Sequence, residues 1–169
     1  MIVPANAYAK EPNQRNQMVP LKLIALDAED LAVLSAHLQD AVVRVGDMAY
    51  LPRETRFVAV VNRYDWVGEG EIRRGRDEQT GERRRTGIRF ERVTSAQILG
   101  ISLKQTDDYL SLLAMTFEAL GGDDPGGSVR LDFAGGGAIK LTVECIEAEL
   151  KDLGAAWRAK RVPDHSAEE

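Results

Sequence analysis

The sequence predicts an α+β fold that is mostly antiparallel β: a curved sheet of about seven strands with an N-terminal helix and a C-terminal capping helix. Three observations carry that prediction. Short alternating apolar runs fill residues 43–143, and helical spacing of apolar residues recurs only near the two ends, at 27–42 and 146–157. The links between alternating runs are short, so successive strands are expected to pair as a meander. A pleckstrin-homology-like barrel has this order of elements, and an open antiparallel sheet flanked by two helices is the alternative.

Residues 1–20 are rich in Pro, Asn and Gln and have no apolar period, which predicts a flexible tail. Leu21 to Leu26 reads as a short strand. Asp27 then suits a helix N-cap, with Glu29 and Asp30 in the first turn where the helix dipole favours negative charge. Leu31, Leu34, Leu38, Ala41 and Val42 form one core-facing stripe. From Val43 the period alternates, and Gly46-Asp47 has the composition of a two-residue hairpin turn. A turn over 52–56 opens a strand over 57–66, with Phe57, Ala59 and Val61 on one face and Val58, Val60, Tyr64 and Trp66 on the other.

Residues 67–85 hold 11 charges and four glycines and predict a mobile solvated loop. Alternating strands resume at 87–93 and 96–101, continue at 109–120, and end with a pair at 129–133 and 139–143. Glycine-rich turns lie at 121–127 and 134–137. Ile146, Leu150, Leu153 and Trp157 recur at four- and three-residue steps, which predicts the closing helix. A polar tail follows from 159. The organisation expected is therefore one globular domain over 21–158 between two tails.

Composition narrows the class. In 169 residues, 22 Lys and Arg stand against 27 Asp and Glu, a net charge of −5. With 44% apolar and 29% charged residues the chain resembles an average globular protein, which excludes collagen-like, disordered and disulfide-scaffold classes. The single cysteine, Cys145, cannot form an internal disulfide, the first 20 residues lack a signal-peptide pattern, and no apolar run is long enough to span a bilayer. A cytoplasmic protein with no membrane partner is expected.

The runs LKLIALDAEDLAVLSAHLQDAVVRVGDMAYLP (21–52), RFVAVVNRYDW (56–66), GIRFERV (87–93) and LDFAGGGAIKLTVECIEAELKDLGAAW (131–157) resemble an uncharacterised alphaproteobacterial family, the domain of unknown function DUF2948. The resemblance covers most of 21–157. It implies a bacterial origin and brings no activity, cofactor or catalytic residue.

The chemistry-bearing residues are sparse. His37 sits beside the core-facing Leu38, His165 lies in the C-terminal tail, and Cys145 opens the predicted last helix, so no nucleophile–base–orienter set can be assembled. Two histidines and one cysteine fall short of a zinc site, and no metal or cofactor is expected. Gly135-Gly136-Gly137 precedes a strand and matches neither phosphate-loop spacing, so it reads as a turn.

The charged loop offers the remaining candidates. Arg73, Arg74, Arg76, Arg83, Arg84 and Arg85, with Arg89 and Arg92 beyond, stand among six carboxylates and leave +2 over 67–92. Tyr64 and Trp66 flank its start, an aromatic pair suited to a contact surface. These residues favour a non-enzymatic interaction module with a protein partner. A regulator binding RNA or a phosphate ligand through the arginines is the second reading, and an enzyme with an unidentified carboxylate site the third.

Overall fold

Local chemistry sets the first two elements. Strand β1 (Lys22–Ala25) runs to Asp27, whose side chain accepts a hydrogen bond from the Asp30 amide at 2.8 Å and caps helix α1 (Ala28–Leu38). Leu31, Leu34 and Leu38 are each at most 1% exposed, so this part of the predicted stripe faces the core, while Val42 belongs to the next strand. The computed structural model describes residues 20–64, 82–154 and 157–158. The strands that follow are β2 (Val42–Leu51), β3 (Arg56–Tyr64), β4 (Glu82–Phe90), β5 (Val93–Leu99), β6 (Tyr109–Gly121), β7 (Asp124–Phe133), β8 (Ala138–Val143), β9 (Ala148–Asp152) and β10 (Trp157–Arg158).

All strand pairs are antiparallel, in the order β1-β9-β4-β3-β2-β6-β7-β8-β5, with β10 beside β4. The sheet is mostly antiparallel with one α-helix among the described residues, and it does not close into the pleckstrin-homology-like barrel: β1 and β5 remain as edges. Its two halves are joined where Val42–Arg44 of β2 meet Tyr109–Ser111 of β6. The sheet bends enough that the Val93 amide, opening β5, donates to the Thr55 carbonyl at the start of β3 (2.9 Å). One core results, shared by Phe57, Ile88 and Phe90 from one half and Leu112, Leu131, Phe133 and Leu141 from the other. Helix α1 packs on β6, where the Met115 amide donates to Ser35 Oγ at 2.9 Å.

Three expectations are corrected. The closing helix is absent among the described residues: residues 148–152 form β9 between β1 and β4. The segment Ala148-Glu149-Leu150-Lys151-Asp152 alternates buried and outward positions, and a ladder on both sides outweighs the weak helical period. Cys145 accordingly lies in the β8–β9 connection and is half-buried.

Gly46-Asp47 is not a hairpin turn. β2 runs through it with a bulge between Val43 and Met48, and the Val45 and Gly46 amides donate to the carbonyls of Asp108 and Thr106. Hydrogen bonds that a hairpin would have placed between two strands go instead to the 100–108 connection.

Arg83, Arg84 and Arg85 belong to β4, not to a loop, because they pair with Tyr64, Arg63 and Asn62 of β3. The remainder of the predicted loop, 67–81, lies outside the described residues, as do Trp66, both predicted tails up to residue 19 and from 159, and His165.

Candidate functional site

The arginine-bearing ends of β3 and β4 place side chains on both faces of the sheet. On the inner face, the alternation Phe57, Ala59, Val61 continues to Arg63, and Phe90, Ile88 continues to Thr86 and Arg84. Asp152 of β9 stands opposite Thr86. Its Oδ1 accepts from Arg63 Nε (2.9 Å) and Thr86 Oγ1 (2.8 Å), and its Oδ2 from Arg63 Nη2 (2.8 Å) and the Leu21 amide (2.7 Å). Arg84 Nη1 lies 4.0 Å away.

The Asp152 side chain is wholly buried and that of Arg63 is 3% exposed. Burial alone pushes the Asp152 carboxyl up. The hydrogen bonds from Arg63, the Leu21 amide and Thr86, with the Arg63 charge, outweigh it and hold the carboxyl below its ordinary value. A carboxylate so fully committed is a structural anchor rather than a proton shuttle.

On the outer face, cross-strand partners put basic residues side by side. Lys22, Lys151, Gly87 and Val60 form one row across β1, β9, β4 and β3. Ile24, Glu149, Arg89 and Val58 form the next, and Arg85 pairs with Asn62 on the other side. Lys22, Arg85, Arg89 and Lys151 are exposed. Arg83 stacks over the Tyr64 ring at 5.9 Å and donates through Nη1 to the Asn62 carbonyl (3.3 Å). At the side of this face Arg44 bridges Asp47 and Asp107, each at 3.0 Å. The Arg44 hydrogen bond lowers the Asp47 carboxyl, with a smaller contribution from the charge of Arg85, and raises Arg44 in return.

The face ends at an open cleft of about 430 Å³ lined by Glu54, Thr55, Arg56, Arg89, Glu91, Arg92 and Glu147. Arg56 pairs with Glu91 (2.7 Å) and Arg89 with both Glu91 (3.1 Å) and Glu149 (3.4 Å), while Arg92 pairs with Glu147 (3.4 Å). Thr55 (φ 48°) and Arg92 (φ 59°) are left-handed at its rim, where the chain turns into β3 and into β5.

Of the predicted candidates, Tyr64, Arg83, Arg84 and Arg85 do come together. They divide by face: Arg84 is 4% exposed and points inward, Arg85 is exposed, and Tyr64 is fully buried rather than a free contact aromatic. Arg73, Arg74, Arg76 and Trp66 lie outside the described residues. The roles of Arg63, Thr86, Asp152, Lys22 and Lys151 escaped the sequence. Arg63 carried a signal, since it continues the inward alternation of Phe57, Ala59 and Val61. Among the described residues no group of three His, Cys, Asp or Glu could hold a metal ion, and no helix is long and apolar enough to cross a membrane.

No curated protein and no solved structure matches the chain. A family model matches residues 21–165, the whole of the described sheet, under the description protein of unknown function. The chain therefore belongs to the DUF2948 family.

Proposed function

We propose that this protein is a non-enzymatic binding module that docks an acidic polypeptide segment on the outer face of β1, β9, β4 and β3. One observation carries the reading: a chain of net charge −5 gathers Lys22, Lys151 and Arg85 on one sheet face, beside an Arg89 that is paired with Glu91 and Glu149. Lys22 and Lys151 are direct cross-strand partners, an arrangement that costs stability. Charge complementarity of this kind gives a partner its orientation and on-rate. The lone thiol of Cys145 fits a reducing, cytosolic setting.

An acidic polypeptide suits the face better than nucleic acid. Base recognition on single strands relies on exposed aromatic rings, and among the described side chains the aromatic beside these arginines, Tyr64, is buried.

Binding of a labelled oligoglutamate peptide, followed by fluorescence anisotropy at rising salt, tests the proposal. The expected result is salt-sensitive binding that weakens about tenfold, ~1.4 kcal/mol, in the Arg85→Glu/Lys151→Glu variant. Lys151→Glu alone removes the like-charge pair with Lys22, so this variant is expected to gain about 0.5 kcal/mol of stability while binding less well. Loss of binding without loss of fold separates the face from a structural role. An oligouridylate that binds where the peptide does not, or peptide binding indifferent to both reversals, would overturn the reading.

A further inference from the structure

The two edges of the sheet are built differently. β1 is four residues long and carries Lys22, with Lys151 beside it. β5 has the sequence Val93-Thr94-Ser95-Ala96-Gln97-Ile98-Leu99, with no charge, proline or glycine. Its inner side pairs with β8 from Val93 to Leu99. Among the described residues, the one backbone–backbone hydrogen bond on its other side is from the Val93 amide to the Thr55 carbonyl, and the Val93 carbonyl accepts from the Tyr50 hydroxyl (3.2 Å).

Natural edge strands are guarded by charges, proline, bulges or shortness, because unpaired N–H and C=O groups template further strands. The only such guard on β5 is the register shift between Val93 and Ser95, at the end away from the exposed apolar residues. At that far end Ile98 is 37% exposed, Leu99 45% and, just beyond the strand, Leu103 56%.

We propose that this edge pairs with a second copy of the chain, β5 to β5, antiparallel about a two-fold axis at Gln97. Self-pairing at that register sets Gln97 opposite Gln97, Ala96 opposite Ile98 and Ser95 opposite Leu99. Apolar side chains then meet on one face, amides can bond at the axis, and no like charges are opposed. The nearest charge inward is Lys140, the β8 partner of Gln97. Its symmetry mate would lie about 14 Å away across two intervening strands, beyond the Debye length of roughly 8 Å at physiological salt.

A charged foreign peptide gains no charge complementarity from so neutral an edge, whereas two copies of this net-negative chain meet there without opposing like charges. A single strand pair buries less than the roughly 1,600 Å² of a standard interface, so the dimer is expected to be weak and concentration-dependent.

Sedimentation equilibrium of the full chain over a concentration series reads this directly. A monomer–dimer equilibrium is expected, with its dissociation constant raised at least about tenfold by Gln97→Lys, which brings two like charges together at the axis. Gln97 is exposed, so that variant keeps its fold, which its thermal melt verifies. In a Cys145→Ser background, Gln97→Cys should form an intermolecular disulfide on oxidation, because directly opposed antiparallel residues stand about 4.5–5.5 Å apart at Cα, within disulfide reach. Thr94→Cys, far from the axis, should not.

A monomer at the highest soluble concentration overturns the proposal. So does a dimer indifferent to Gln97→Lys, or crosslinking through Thr94→Cys in place of Gln97→Cys. A monomer that instead takes up an unrelated extended peptide along β5 would keep the edge active and reject the second copy as its occupant.

Discussion

Replacing Asp152 with alanine is expected to cost about 3–5 kcal/mol, the usual penalty for removing one partner of a buried ion pair. Little of that cost reflects the attraction itself. The substitution leaves the Arg63 guanidinium charged in an interior site and strips the Leu21 amide and the Thr86 hydroxyl of a shared acceptor. Strands β3, β4, β9 and the entry to β1 all converge on this one carboxylate, so urea unfolding should show a lower midpoint with little change in slope.

The same carboxylate sets an acid limit. A carboxyl held below its unfolded value of about 3.9 contributes stability that is fully present above that pH and is lost as pH falls toward its folded value. Asp152→Asn keeps the shape and removes the titration, so the variant should be less stable at neutral pH and should lose less stability than the parent below pH 4. An alanine variant within about 1 kcal/mol of the parent would show that the pair is not the anchor described here.

How much of this was legible in the sequence depended on whether the signal was local. The Asp27 cap, the Leu31-Leu34-Leu38 part of the α1 stripe and the Gly135-Gly136 turn (φ 89° and 95°) obey short-range rules and are legible, whereas Val42, expected on that stripe, opens β2. β9 is not legible, because Ile146, Leu150, Leu153 and Trp157 also satisfy a helical period. What decides between the two is the ladder with β4, more than fifty residues earlier in sequence. That error hid Asp152: on a helix it reads as a solvated charge, whereas in an alternating strand it falls on the buried side with Ala148 and Leu150.

The arginine cluster was visible as composition, but its division was not. Alternation in β4 sends Arg84 inward and Arg83 and Arg85 outward, a distinction that exists only once these residues are known to be a strand. The basic face is less legible still. Lys22 and Lys151 come from opposite ends of the chain and become neighbours through β1–β9 pairing.

Gly127→Ala is expected to be the second most damaging change, costing about 2–3 kcal/mol although it adds a single methyl group. The sequence places Gly127 in a glycine-rich turn over 121–127, but the turn between β6 and β7 is tighter than that. Gly121 pairs with Asp124, so only Gly122 and Asp123 lie between the strands, and Gly127 is already within the β7 ladder between Ala119 of β6 and Val143 of β8. Its backbone is not left-handed, so the requirement for glycine is one of space.

A Cβ there would strike the Glu118 carbonyl oxygen and come within 2.7 Å of the Phe117 ring, which lies across the position a side chain would fill. Strands held on both sides cannot part locally to admit it. Gly154→Ala is the matched control, because a Cβ there meets nothing within 4 Å. It should melt within about 0.5 kcal/mol of the parent or slightly above it, since alanine loses less chain entropy on folding.

If the ring contributes to the clash, Phe117→Leu and Gly127→Ala should combine to less than the sum of their separate costs, a coupling readable in a double-mutant cycle. Strict additivity would assign the whole requirement to the Glu118 carbonyl. A Gly127→Ala variant as stable as the parent would mean that β6 and β7 are not held as closely as this register requires.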